Sequence, residues 1–115
     1  QIKSDISYRL RTTETSDNGI TELDTTKRIL TGRKVHLVAT YDGQKKYLYV
    51  NGKRHPESQK ITGDFSNWQK YPLVIGNEAT GDRTWLGKIF LVAVYDRPLS
   101  LEEVKQNYQA GWQSE

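Results

Sequence analysis

Most of the side chains that could bind a ligand fall in two polar segments, residues 63–71 and 77–85. Both segments combine acids and amides with large aromatic rings. Aromatic faces can stack on sugar rings, and neighbouring carboxylates and amides can hydrogen-bond to sugar hydroxyls. The competing interpretation is that the two tryptophans anchor loops or the core, because large rings dominate small cores. The pattern predicts a ligand site made of Asp64, Asn67, Trp68, Tyr71, Arg83 and Trp85.

The same segments carry the oxygen ligands that calcium prefers, namely carboxylates, side-chain amides and backbone carbonyls. If the two segments converge, they would hold calcium through Asp64, Asn77, Glu78 and Asp82. The alternative is that these polar residues cap turns and pair with Arg83. Zinc is not expected, because the chain has no Cys and only two His.

The sequence offers no residues that suit hydrolysis. Glycosidases need two carboxylates that face each other across the sugar bond, and no closely spaced acidic string lies on a predicted strand. Glu102 and Glu103 fall at the start of a predicted helix, where the helix dipole accounts for them. His36 is expected to be packed within a strand, and no serine–histidine–acid arrangement can be argued. We therefore expect a protein without enzymatic activity.

The composition of the chain excludes further functional classes. The chain has 115 residues, the usual size of one domain, and a net charge of +3 with Lys and Arg scattered along it. It has no dense basic stripe and no apolar run of the length that spans a bilayer. Nucleic-acid binding and membrane insertion are therefore not expected. The chain begins without Met or a signal peptide, which favours a processed or excised piece of a longer protein.

Short strands must position the two loops. Residues 35–41 are predicted to form a strand that carries most of its apolar side chains on one face. Residues 46–50 are predicted to form the return strand, with Tyr47 and Tyr49 on one face and Leu48 and Val50 on the other. Asp42-Gly43 predicts the turn between them, and Asn51-Gly52 predicts a type I′ turn into a third strand. That third strand is expected to end at Pro56, which cannot donate a backbone hydrogen bond.

Further strands are predicted at residues 6–11, 20–23, 71–76 and 85–95, with short turns between several of them. A helix follows, because Ser100 and Glu103 have the spacing of a capping box, and Gly111 is expected to end it. The pattern is that of an all-β antiparallel sandwich with a short C-terminal helix.

Two stretches carry a family resemblance. "HLVATYDGQKKYLYVNGKR" resembles the central hairpin of laminin-G-like domains, and "YPLVIGNEATGDRTWLGKIFLVAVYDRPLSLEEVKQNYQAG" resembles their C-terminal block. These domains belong to the concanavalin A-like lectin and glucanase superfamily. The resemblance covers roughly residues 35–111 and implies one jelly-roll β-sandwich domain over residues 1–115. It also implies a lectin-like module for carbohydrate (glycan) binding or cell adhesion, within an exported bacterial protein that is extracellular, periplasmic or at the cell surface.

The chain departs from the family pattern at its N-terminal side, and this departure bears on which partner it would need. Complete domains of the resembled family have several strands before the segment that matches residues 6–11, so the sandwich here is expected to be incomplete. Its open face would be covered by a second copy in a homo-oligomer, by a complementary N-terminal segment or chain, or by rearranged residues 6–30. The alternative function is therefore a structural protein-interaction domain that assembles through open strand edges.

Overall fold

The computed structural model describes residues 5–25 and 28–113, the last two without their side chains. The described part of the chain contains two small antiparallel sheets and one helix. The first sheet pairs β1 with β2, and the second has the order β3-β4-β5. The elements are β1 (Ser7–Tyr8), β2 (Leu23–Asp24), β3 (Leu37–Tyr41), β4 (Lys45–Val50), β5 (Lys53–Lys60) and α1 (Leu101–Gln113).

The turns of the larger sheet follow the expected chemistry. Between β3 and β4, an Oδ1 atom of Asp42 accepts hydrogen bonds from the amides of Gln44 and Lys45, at 2.9 and 2.7 Å. Between β4 and β5, Asn51 and Gly52 have φ angles of 50° and 77°. A type I′ turn requires positive φ at both central positions, so the prediction for this turn is confirmed.

The prediction that β5 ends at Pro56 was wrong, because β5 continues to Lys60. Proline is tolerated there for two reasons. In the described part of the chain β5 pairs with β4 alone and is an edge strand, and its register with β4 is irregular between Tyr47 and Tyr49. A proline at an edge or bulge removes no ladder hydrogen bond.

A buried lysine joins the two sheets. Lys46 on β4 is fully buried, and its ammonium group donates to the backbone carbonyls of Tyr8 and Thr21 at 3.0 and 2.6 Å. Burial lowers the pKa of Lys46, because it penalises the charged form, and it raises the pKa of the adjacent Tyr8 hydroxyl to about 12. The ammonium group therefore fixes the β1–β2 hairpin to the larger sheet through two carbonyl groups.

The helix packs against the larger sheet. Tyr49, Leu99 and Val104 form the buried core cluster. The capping box is confirmed, since the Glu103 amide donates to Ser100 Oγ and the Ser100 amide donates to Glu103 Oε2, at 3.2 and 2.8 Å. The prediction that Gly111 ends α1 was wrong. The helix continues to Gln113, because glycine costs a helix only about 1 kcal/mol and can be tolerated within it.

The predicted strands at residues 71–76 and 85–95 are absent from the described structure. The Trp85 amide donates to the Gly76 carbonyl at 2.7 Å, but no backbone hydrogen bond continues from there into residues 86–95 within the described part. Among the described residues no strand pairs with residues 86–95, so the amide and carbonyl groups of this segment have no backbone partner there. The fold is mostly β and antiparallel with a short C-terminal helix, as predicted, and it forms only part of a sandwich.

Candidate ligand site

Two exposed aromatic rings lie side by side in the loop that follows β5. The ring centroids of Phe65 and Trp68 are 4.6 Å apart, and the residues are 42% and 53% exposed. The Phe65 ring also contacts Tyr41 at the end of β3, at a centroid distance of 5.6 Å. We call Phe65 and Trp68 the aromatic platform, since the two rings, tilted by 37° to each other, together present an apolar surface to solvent.

Hydrogen bonds to the segment before β2 fix the platform in place. Trp68 Nε1 donates to the Arg11 carbonyl at 2.8 Å, and Asn67 Nδ2 donates to the Thr12 carbonyl at 3.1 Å. The Thr13 amide donates to the Asp64 carbonyl at 3.0 Å. The loop is therefore ordered before any ligand arrives, which lowers the entropic cost of binding.

Polar acceptors lie beside the rings. One Asp64 carboxylate oxygen accepts from the amide and hydroxyl of Ser66, at 2.9 and 2.6 Å. These hydrogen bonds hold the pKa of Asp64 below its ordinary value, so the group is ionised at neutral pH. Asn67 Oδ1 is buried and accepts no hydrogen bond from the described residues. The loop thus combines an apolar surface with a carboxylate and an amide oxygen.

The acids and amides of the second predicted segment, residues 77–85, bond to groups of the same segment. Asn77 Oδ1 accepts from the amides of Glu78 and Arg83, at 2.8 and 2.9 Å. Glu78 and Arg83 form an ion pair at 3.4 Å, and the Thr80 hydroxyl donates to Asp82. That hydrogen bond lowers the pKa of Asp82. The polar groups of this loop therefore cap its own turns, which is the alternative that the sequence left open.

The structure groups the predicted ligand residues unevenly. Asp64, Asn67 and Trp68 share one ordered loop, whereas Tyr71 is 78% exposed and its hydroxyl donates to Gln69 at 3.0 Å. Trp85 is half-buried, and its Nε1 has no partner among the described residues. No hydrogen bond, ion pair or ring contact between described residues joins residues 63–71 to 77–85.

The predicted calcium ligands do not assemble in this arrangement. Asp64 and Asp82 each serve a local turn, Glu78 pairs with arginine, and Asn77 Oδ1 already accepts two amides. Nowhere in residues 5–25 and 28–113 do three His, Cys, Asp or Glu residues come together in a way that could hold a metal ion. Calcium binding stays a prediction, and no role is assigned to it below.

Sequence reasoning missed Phe65 as a site residue. Its position three residues before Trp68 in a polar loop was the available signal, since two rings so close can share a surface. Tyr41 and the backbone groups of residues 11–13 could not be found this way, because they are distant in sequence from the loop that they support.

Residues 1–105 match a laminin-G-like family described as the concanavalin A-like lectin/glucanases superfamily. The chain belongs to this superfamily. The match confirms the predicted resemblance and extends it toward the start of the chain, over residues 1–34. As a member of the superfamily, the chain is expected to form an antiparallel β-sandwich, and β1 to β5 form part of one.

A solved structure with a similar fold is an S-layer domain-containing protein, residues 221–444, from Clostridium thermocellum. It is 20% identical, with a TM-score of 0.55, and the alignment covers 76% of this chain and 45% of that chain. The chain therefore spans less than half of that structure's length, and at this identity the likeness shows the fold alone. No curated protein matches. In the described residues, no helix has the length and apolar character that crossing a bilayer requires.

Proposed function

We propose that this chain is a non-enzymatic module that binds a glycan on the aromatic platform, as part of a protein at a bacterial cell surface or outside the cell. The observation that carries the proposal is the ordered pair of exposed rings, Phe65 and Trp68, beside the ionised carboxylate of Asp64. Membership of a superfamily that includes lectins supports it.

The chemistry of a sugar fits this surface. The apolar face of a pyranose ring would lie on the platform, and its hydroxyls would donate to the exposed carboxylate of Asp64. Hydrogen bonds from Ser66 hold that carboxylate in place, so little ordering is needed on binding. Asn67 Oδ1 is buried and lies out of reach of a ligand on this surface.

Affinity electrophoresis in gels with embedded polysaccharides, preceded by a glycan array, tests the proposal. Wild-type protein is expected to be retarded by at least one glycan, and Trp68→Ala and Phe65→Ala are expected to abolish the retardation. Phe90→Ala is the matched control, because it removes an exposed ring outside the loop. No retained glycan, or retention that survives Trp68→Ala, would contradict the proposal. Specific glycan turnover would contradict its non-enzymatic part.

A second candidate function, protein interaction through an open strand edge, is supported by residues 86–95. Leu86, Leu91 and Val94 are 95%, 81% and 79% exposed, and the backbone of this segment has no hydrogen-bonded partner among the described residues. An exposed apolar segment with unpaired backbone groups can pair as a strand with another chain.

Sedimentation velocity at micromolar concentration tests the second candidate. We expect concentration-dependent association of the wild-type chain that Leu91→Lys abolishes and that Tyr71→Lys, a charge placed on another exposed ring, leaves intact. A chain that stays monomeric at all concentrations, with residues 86–95 protected from hydrogen exchange, would mean that the chain covers this segment itself.

A further inference from the structure

A basic cleft lies at the end of the larger sheet opposite to the aromatic platform. The platform contacts Tyr41 at one end of β3, whereas the cleft lies near Leu37 at the other end, where Leu37 pairs with Val50. The cleft has a volume of about 510 Å³ and is lined by Arg28, Ile29, Thr31, Arg33, Lys34, Val35, Val50 and Asn51.

The described residues of the lining are positive or neutral, and none of them is an acid. Arg28, Arg33 and Lys34 supply three cationic groups, while the remaining side chains are apolar or neutral. Within the described part of the chain, neither Arg28 nor Arg33 forms an ion pair, in contrast to Arg9, Arg83 and Arg97, which each pair with a glutamate. These two guanidinium groups line one cleft and have no carboxylate partner among the described residues. They therefore create a positive potential that favours the binding of an anion.

Contacts on two sides fix the walls of the cleft. Lys34 Nζ donates to the Gly111 carbonyl at 3.1 Å and lies 5.4 Å from the centroid of the Phe90 ring. On the other side, Asn51 Oδ1 accepts from the His36 amide and the Asn51 amide donates to the His36 carbonyl, both at 2.9 Å. Lys34 therefore forms part of a fixed wall, and the two arginines supply the groups that can reach a ligand.

We propose that this cleft binds an oxyanion, namely a carboxylate, sulfate or phosphate group, on a small ligand with an apolar body. The planar guanidinium fork matches two oxygens of such a group, and a charge-assisted bidentate pair is among the stronger polar contacts in proteins. Ile29, Val35 and Val50 would contact the apolar part of the ligand. The site is independent of the aromatic platform and shares no residue with it.

NMR titration of the whole chain with sodium sulfate tests the site, with sodium chloride at matched ionic strength as the reference. Sulfate is expected to give saturable shifts confined to the amides of residues 28–35 and Asn51. Arg33→Gln is expected to weaken binding at least about tenfold, the value of one lost charged hydrogen bond. Arg54→Gln is the matched control, since Arg54 is an exposed arginine outside the cleft, on β5.

Parallel titrations with inorganic phosphate and with glucuronate, compared with glucose, decide whether the cleft prefers a tetrahedral anion or a carboxylate. Binding of any of the three anions with the Arg33 dependence supports the site. Shifts that chloride reproduces, shifts spread over all Lys and Arg residues, or affinity unchanged in Arg33→Gln would overturn it. None of these results depends on Trp68, so the glycan proposal stands or falls separately.

Discussion

Residues 37–60 and residues 71–95 carry comparable strand-forming sequences, yet only the first stretch forms a sheet. The run "KIFLVAVY" in the second stretch is more apolar than "LVATY" of β3. Nevertheless Leu48 on β4 is 2% exposed, whereas Leu91 is 81% exposed. High strand propensity did not suffice to form a strand.

The two stretches differ in whether neighbouring strands are available to pair with them. β4 pairs with β3 through the Asp42-Gly43 turn and with β5 through the Asn51-Gly52 turn, so local chain reversals supply both partners. Residues 86–95 have no comparable reversal that leads to a complementary strand. Strand propensity reflects packing on cross-strand neighbours rather than an intrinsic preference of the backbone, so it has no effect where neighbours are missing.

Leu48→Ala and Leu91→Ala test this contrast most strongly. Leu48→Ala is expected to lower the free energy of unfolding by about 2–5 kcal/mol, because it leaves a cavity in the packed sheet. Leu91→Ala is expected to change it by less than about 0.5 kcal/mol, as surface substitutions do. Urea denaturation of both variants at low protein concentration gives the comparison. Equal losses would mean that Leu91 is buried in solution and that the two stretches do not differ.

Lys46→Met tests whether the sheet also depends on the hairpin formed by β1 and β2. The methionine keeps the volume but leaves the carbonyls of Tyr8 and Thr21 without their donor, so we expect a loss of about 1–3 kcal/mol. Lys45→Met, at the exposed neighbouring position, is the control and should leave thermal unfolding unchanged. An unaffected Lys46→Met variant would show that the hairpin is held by packing alone.

Gly52→Ala sharpens the role of the turns, with Gly43→Ala as its control. Both glycines have positive φ, so alanine is strained at each by about 1 kcal/mol. At Gly52 the new Cβ would also lie 2.9 Å from Tyr108 Cδ1, whereas at Gly43 nothing lies within 4 Å. Calorimetry should therefore show a larger drop in melting temperature for Gly52→Ala. Asn51→Ala, which must also adopt positive φ, is expected to destabilise the sheet as well.

The smallest expected effect is a loss of helix stability at low pH. The side-chain hydrogen bonds from Arg97 hold the pKa of Glu103 at about 2, below its ordinary value of 4.5. A depressed carboxyl pKa contributes stability above the unfolded pKa, and this is lost as pH falls through the folded pKa. Helix stability should therefore decrease between about pH 4.5 and pH 2. In Glu103→Gln that decrease should be smaller, as monitored by circular dichroism at 222 nm. The same pH dependence in both proteins would assign it to other carboxyl groups.

Local chemistry made the elements with the strongest sequence patterns predictable. The Asn51-Gly52 turn and the cap formed by Ser100 and Glu103 depend on residues a few positions apart, so the sequence was sufficient to place them. Pro56 led to a wrong prediction for the end of β5. A proline ends a strand only where the ladder needs an N–H donor at that position, and this depends on which side of the strand has a partner.

For the candidate ligand site, the sequence determined which polar and aromatic side chains are present but not how they are arranged. It identified a loop with Asp64, Asn67 and Trp68, and these do lie together. It could not decide that the acids and amides of residues 77–85 bond within their own segment, or that two arginines line one cleft.

The sequence by itself determined the antiparallel class, the two turns of the sheet, the helix cap and the family. Each of these depends on residue types at short distances along the sequence. Only the tertiary structure decided that Lys46 is buried between two sheets, that Phe65 joins Trp68, and that residues 86–95 are exposed. These outcomes depend on which distant segments meet, and hydrogen-bond partners separated by 25 or 57 residues leave no local pattern to detect.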